Sequence, residues 1–319
     1  DGVWDAIVNI GETRGSLAYG IDGAVIKVDN LADREHFGAT SRVPRWATAY
    51  KYPPEEKETV VKEIRLSVGR TGRITPTAIF EPIGLCGTNV ERATLHNQDR
   101  IDELDVRIGD TIVVRKAGEI IPEILSVVKD KRPDDTIPYK IPFQCPSCGG
   151  PASRDENTAD IRCNNLNCPA QLTQHIINFA GRNAMDIKGL GEASVEALVR
   201  DEYVKDIADI YYLSQYRDEM IEKGLVGKEK NTDKLLKAIE DSKNNDIDRL
   251  ITGFGIRNIG RQAASELMNH FKSIHALKEA TYEELIEVPD MGDISSRAVV
   301  EFFSNPSNVD IISRLEQAG

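Results

Sequence analysis

Four cysteines stand in the pattern C-x2-C-x14-C-x4-C, at Cys145, Cys148, Cys163 and Cys168. Two close pairs joined by a longer loop let four thiolates converge on one tetrahedral ion with little strain. The run CPSCGG supplies the glycines that a tight metal-binding knuckle needs. Four sulfur ligands leave no open coordination position, so the expected chemistry is a structural Zn2+ and not catalysis. A redox C-x-x-C belongs in a βαβ pattern, and none surrounds these residues. Clustering of four of the five cysteines fits metal in a reducing cytoplasm better than a disulfide scaffold. Cys86, in GLCGT, reads as a small buried residue with no chemistry of its own.

Two lysines come next. Lys27 is the penultimate residue of the alternating run DGAVIKV, and Lys51 stands in WATAYKYPP. An exposed strand lysine is the ordinary reading of each. Both, however, sit among small or apolar residues beside a turn-forming Asp-Gly or Pro-Pro, where a lysine could offer its charge to a phosphate in a cleft.

Glycines make the third group. Gly191, Gly227, Gly260 and Gly292 recur at a period of about 32–36 residues, which suggests a tandem helical repeat. In MDIKGLGEASVEALV, Gly189 and Gly191 flank one apolar residue that joins a short helix to a second one beginning near Glu192. Such a hairpin can present successive backbone N–H groups at a helix N-terminus to an anion. This is the helix-hairpin-helix arrangement, which grips a DNA backbone without reading bases. Alone, each glycine could equally be a helix C-cap; several in series behind a metal module favour the phosphate grip. The second repeat departs from the pattern, with Lys228 where a second glycine would help, and reads as structural.

The elements that must position these residues are legible at low resolution. At 319 residues the chain is expected to form more than one domain. In DGAVIKV, Ala24, Ile26 and Val28 share one face of a strand and Val25 and Lys27 the other. Residues 55–141 read as all-β, with IRLSV, TPTAIF, RIGDTIVVRKAG and IIPEILSVV punctuated by Gly and Pro as in a small barrel. The charged, proline-rich KDKRPDDTIPYKIP (129–142) reads as a linker, and from Pro169 onward the pattern is helical. No apolar run approaches the roughly 18–20 residues that span a bilayer. The opening DGVWDAIVNIGETRG lacks a basic lead, an apolar stretch and an initiator Met, and begins in mid-pattern, like a piece of something longer. A net charge of −12 argues against indiscriminate binding to polyanions, but leaves room for phosphate held by backbone amides.

DGAVIKV and PRWATAYKYP resemble the last two nucleotidyltransferase motifs of bacterial NAD-dependent DNA ligases. The likeness continues through VGRTGRITPTA, ERATLHN, RIGDTIVVRKAGEIIP, the four cysteines with CPAQ, and the glycine hairpins. It covers essentially the whole chain in one order. The resemblance implies a multidomain α+β protein with the end of a nucleotidyltransferase domain at 1–54, an OB-fold β-barrel at 55–141, a four-cysteine zinc finger at 142–169 and a helix-hairpin-helix domain at 170–319. It implies that Lys27 and Lys51 contact the phosphate of an adenylate, with Asp22 shaping that pocket or its metal environment. It implies DNA contacts at Arg70, Thr71, His96 and Lys116, the last standing where an arginine is usual, and at Gly189, Gly191, Gly260 and Gly292. Cofactors of the parent enzyme would be NAD+ and Mg2+, beside the structural zinc. Its partner would be nicked duplex DNA without sequence preference, bound by a monomer in the bacterial cytoplasm with no membrane involved.

One departure bears on activity. The nucleophilic lysine of these ligases lies in K-x-D-G, which does not occur in this chain. The NAD-specific N-terminal domain, most of the nucleotidyltransferase domain and the usual further C-terminal domain are also missing. The chain therefore reads as a ligase fragment, inactive alone, with the zinc site as a rigid junction. The alternatives are a non-catalytic zinc and helix-hairpin-helix DNA-repair binding module, or an acidic protein-interaction scaffold.

Overall fold

Alternating apolar and polar residues build the strands of the first half of the chain. The structure, a computed structural model, describes residues 2–319 apart from 20, 41, 54, 86, 118–120, 156, 157 and 166. The expectation for Cys86 thus lies outside the described residues. Together the elements make a multidomain α+β molecule that divides into two units. One comprises Asp1–Ser67, Ile74–Pro142 and Arg154–Ile161, the other Val68–Arg73, Phe143–Ser153 and Arg162–Gly319. Among the described residues no helix is long and apolar enough to cross a membrane.

The first unit opens with α1 (Gly2–Thr13), β1 (Gly23–Lys27), α2 (Leu31–Phe37) and β2 (Ala47–Lys51). β1 and β2 form an antiparallel ribbon with Gly23 opposite Lys51 and Lys27 opposite Ala47. α1 is fastened to it by aromatic contacts. The Tyr52 hydroxyl donates to the Ile7 carbonyl at 2.7 Å, and the Trp4 and Tyr50 rings meet edge to face at 5.2 Å.

The barrel follows, with β3 (Glu56–Val68), β4 (Arg73–Leu85), β5 (Thr88–Thr94), α3 (Gln98–Leu104), β6 (Thr111–Ala117) and β7 (Ile121–Val127). The strand order is β7-β6-β3-β4, β5 pairs with β4, and β5 lies beside β7 to close the sheet. Ile74, Ala78 and Phe80 of β4 point inward on a two-residue period and are buried with Leu95, Ile112 and Val114.

Two expectations for this unit change. The barrel is not all-β: α3 starts at Asn97, whose side chain accepts from the Arg100 N–H, and it buries Gln98, Ile101 and Leu104. Nor is 129–142 a loose linker. Arg132 donates to Asp105 at 2.6 Å and to Asp110 at 2.8 Å, and the Asp110 side chain is 0% exposed. Farther on, the Ile141 N–H donates to Gln98 Oε1 at 2.7 Å, and Ile141 is itself buried. Charge and proline mimic a linker in sequence, but here the basic residues Lys129, Lys131, Arg132 and Lys140 are paired with acids of the barrel.

Replacing Arg132 with Ala should cost about 3–5 kcal/mol, because Asp110 would keep its burial and lose its cation. Urea unfolding would measure it, and a change below about 1 kcal/mol would refute the strap. Arg132, and then Arg107, hold the Asp105 carboxyl below the usual carboxylate range. The stability from that pair is therefore present above the unfolded value of about 3.9 and lost as pH falls through the depressed one.

The second unit holds most of the short strands β8 (Ala152–Arg154) and β9 (Ile161–Cys163), which pair. Helices follow: α4 (Pro169–Ala180), α5 (Glu192–Arg200), α6 (Arg217–Lys223), α7 (Glu229–Ser242), α8 (Ile247–Phe254), α9 (Arg261–Phe271), α10 (Ile274–Glu279), α11 (Tyr282–Ile286), α12 (Asp293–Ser304) and α13 (Pro306–Ala318). Phe179, Leu198, Ile210, Leu235, Ile251, Leu267, Leu285 and Val299 belong to one continuous core. Neighbouring helices pair as α4–α5, α6–α7, α8–α9 and α11–α12, so the glycine repeat is a repeat of helix pairs. In the first pair the residues just before Gly189 form turns instead of a short helix, and α4 is the leading helix.

Candidate functional site

The cysteine knuckle is built locally. The Cys145 N–H donates to the Gly150 carbonyl at 2.8 Å, and the Gly149 N–H returns to the Cys145 carbonyl at 3.0 Å. Cys163 ends β9, while Cys168 is the N-cap of α4 with Pro169 directly after it. The four sulfurs lie within 4.8 Å of one another, with Cys145 to Cys168 at 3.9 Å and Cys148 to Cys163 at 3.6 Å. Four Zn–S bonds of about 2.3 Å in a tetrahedron require sulfur separations of about 3.8 Å, so the donor set fits a structural zinc.

Without metal, burial pushes the Cys163 thiol up to about 12 and raises Cys168 as well. The Asn165 side chain, followed by the Gly150 backbone, lowers Cys148 to about 6. One sulfur is ready as a thiolate and two are held protonated, a mixture that a divalent cation would convert to four thiolates.

The lysine ribbon behaves as alternation dictates. Residues opposite in an antiparallel pair share a face, so Lys27 with Ala47 and Lys51 with Gly23 lie on one side. Both lysines are exposed, and Tyr50 and Ile26 turn to the other side toward α1. Four residues of ladder separate the lysines, about 13 Å along the strands. Two extended side chains can span that gap to a common phosphate. Asp22, one residue ahead of β1, keeps the parity of Ala24 and Ile26, out of phase with the lysines; its carbonyl accepts from the Tyr52 N–H at 3.2 Å.

The four barrel-motif residues differ in what they offer. His96 is exposed and holds a left-handed backbone at φ 61°, uncommon for a side-chain-bearing residue and typical of functional turns. Lys116 is 6% exposed, and its Nζ donates to Thr88 Oγ1 at 2.5 Å. It is buried where a DNA contact would need it at the surface. Thr71 is exposed and accepts from Arg162 at 2.8 Å. The Arg70 guanidinium is committed to the Gly255 carbonyl at 2.7 Å.

At the hairpins, Gly191, Gly260 and Gly292 are the N-caps of α5, α9 and α12, and none of these helices has a side-chain cap. The first intrahelical bonds are made by Val195, Ala264 and Ser296, which leaves the amides before them unpaired by the helix. All three glycines have extended φ, and a Cβ added to any of them would meet nothing within 4 Å. Neither backbone strain nor internal packing calls for glycine here. Close approach of something from outside would. Gly189 differs, with φ 97° and a Cβ position near Leu235.

The second hairpin is built to the same plan with a shift: Lys228, not Gly227, is the N-cap of α7, in the same extended conformation. The third is the most basic. Arg257 and Arg261 flank Gly260, both exposed and without an ion pair among the described residues, and the first turn of α9 has no acid. Sequence reasoning passed over Arg257 and Arg261, and took Lys228 only as a departure from the glycine pattern. Their signal was a positive charge next to an N-cap, visible once the helix starts are known.

Family models match the chain in collinear order. The NAD-dependent DNA ligase adenylation domain covers residues 1–55, and the NAD-dependent DNA ligase OB-fold domain covers 58–136. The NAD-dependent DNA ligase C4 zinc finger domain covers 144–170, and a helix-hairpin-helix motif covers 249–312. A DNA ligase of Clostridium kluyveri is 51% identical over 319 residues, all of this chain and 48% of that protein. One of Acetivibrio thermocellus is 49% identical over 317 residues, 99% of this chain and 48% of that protein. One of Clostridioides difficile is 46% identical over 308 residues, 97% of this chain and 45% of that protein. The chain spans about half the length of the curated relatives it matches. With four collinear domain matches and likeness along its whole length to proteins named DNA ligase, the chain belongs to the NAD-dependent DNA ligase family.

Proposed function

We propose that this chain is the DNA-gripping and phosphate-contacting part of an enzyme that seals nicks in duplex DNA through enzyme-adenylate and DNA-adenylate intermediates. The parent, acting as a monomer in the bacterial cytoplasm, takes AMP from NAD+ with Mg2+ and passes it to the 5′-phosphate at the nick, where the 3′-hydroxyl displaces it. Lys27 and Lys51 stabilise charge that develops on the adenylate phosphate, and Asp22 shapes the edge of that pocket. The exposed Trp4, Leu31, Phe37 and Val43 fit a surface covered by the remainder of the adenylation domain.

The observation that carries the reading is the set of three N-cap glycines that open onto free space at uncapped helix N-termini. They act as backbone anion sites for DNA phosphates, with Gly260 and its two arginines the strongest. His96 and Thr71 contact DNA near the nick, and Lys116 reaches a phosphate only by leaving Thr88.

Gel retention on nicked duplex from low to moderate salt tests this. Binding that is independent of sequence and weakens steeply with salt is expected, with no AMP transferred to the chain from labelled NAD+, since K-x-D-G is absent from its 319 residues. No retention at low salt would refute the DNA grip, and covalent labelling would refute the assignment of catalysis to residues outside this chain.

A further inference from the structure

The loop Val68–Arg73 belongs to the same unit as the zinc knuckle and the helices, and three contacts pin it there. The Cys163 N–H donates to the Gly72 carbonyl at 2.9 Å, and a Cβ on Gly72 would stand 2.7 Å from the Cys163 carbonyl oxygen. Arg162 donates to the Thr71 hydroxyl at 2.8 Å. At the tip, the Arg70 guanidinium donates to the carbonyl of Gly255, the left-handed C-cap of α8. Beside it, His175 Nε2 donates to the Phe254 carbonyl at 3.0 Å from a half-buried position on α4.

The last carbonyls of a helix lack intrahelical partners and carry the negative end of its dipole, so a cation and a ring N–H there form a cap. α8 is only 8 residues long, and Gly255 is the first residue of the turn that leads through Arg257 and Asn258 to Gly260. Whatever holds Gly255 sets where the third hairpin begins. A Cβ at Gly255 would fall onto the Arg70 guanidinium, so the two are fitted to each other.

We propose that Arg70 is a positioning residue that caps α8 and ties the third hairpin, Gly255–Gly260, to the backbone of the metal ligand Cys163. Its guanidinium is spent on a carbonyl and does not grip a DNA phosphate. The proposal rests on the hairpins binding DNA only for its effect on retention; the cap itself exists without DNA.

Amide hydrogen exchange of the DNA-free chain, with retention on nicked duplex across salt, tests it. Arg70→Ala should raise exchange of the hydrogen-bonded amides of Gly255 and Ile259 about ten-fold while leaving that of Val195 in α5 unchanged. Arg70→Lys, which still carries a donor to the carbonyl, should restore part of the protection. Gly255→Asn tolerates the left-handed backbone but displaces Arg70, and should give the same exchange pattern and the same several-fold loss of retention, with the salt slope unaltered. Unchanged exchange at Gly255 and Ile259 in Arg70→Ala would overturn the proposal. So would tighter retention by Gly255→Asn, or a salt slope reduced by about one in Arg70→Ala, since both mark a direct phosphate contact. Failure of the wild-type chain to bind DNA would instead refute the proposed function and leave the exchange result to decide the cap.

Discussion

Stripping the metal from Cys145, Cys148, Cys163 and Cys168, by chelation or by Cys163→Ser, is expected to unfold residues 143–168 and to abolish most DNA retention. Zinc binding at such sites contributes on the order of 10 kcal/mol to local folding, more than the few short strands and turns here could supply. The knuckle has β8 and β9, each of three residues, and little apolar burial of its own. Loss of protection should be read by hydrogen exchange over 143–168, with released zinc measured by a colorimetric chelator. Exchange that stays slow in the metal-free chain would sink the idea. Either treatment should reach beyond the knuckle, because the Cys163 backbone also holds Gly72 and, through that loop, Arg70. The pH dependence has a definite sign. Burial favours the protonated thiols of Cys163 and Cys168, so metal binding must displace their protons, and zinc should be held less tightly as pH falls.

Changing Gly191, Gly260 and Gly292 together to Ala should leave the fold nearly intact and remove most DNA binding. The three added methyl groups meet nothing within the chain, and their backbone conformation suits alanine. Alanine is a poorer N-cap than glycine but restricts the unfolded chain more, so the stability change should stay within about 1 kcal/mol per site. Each methyl would instead stand between a helix N-terminus and an arriving phosphate. A lost charge-assisted hydrogen bond costs about 1.5–3 kcal/mol, or at least about ten-fold in affinity per hairpin. Gly260→Ala should be the most damaging single change, given Arg257 and Arg261 beside it. Filter binding at fixed salt, with thermal melts as the control, decides it; a well-folded triple variant that binds as the parent does would show that the glycines have another purpose.

What could be read from the residues alone follows from range. The zinc geometry depends on spacings of a few residues, and strand parity separates Lys27 from Ala24 and Ile26, whereas the shared face of Lys27 and Lys51 follows from the register of the ribbon. Gly-x-Gly marks a helix start because the turn and the N-cap are adjacent in sequence. Features set by distant partners were hidden. The Arg70 acceptor is 185 residues away, and the charges of 129–142 look solvated until Asp105 and Asp110 are placed beside Arg132. α3 is seven residues long, too short for helical periodicity to stand out within a run of strands. Lys116 sits in an alternating strand whose inner face cannot be recognised from a lysine.

The proposed grip, at the uncapped helix starts Gly191, Gly260 and Gly292, is mostly main chain. Such a surface has almost nothing to truncate. An alanine scan of the side chains around it would report silence at its centre, and reagents that modify lysines or carboxylates would find only its rim. Harm comes by addition: a methyl, a branched side chain, or a proline that deletes an amide. Tolerance here is lopsided, generous toward loss and intolerant of growth, the reverse of what a buried core permits.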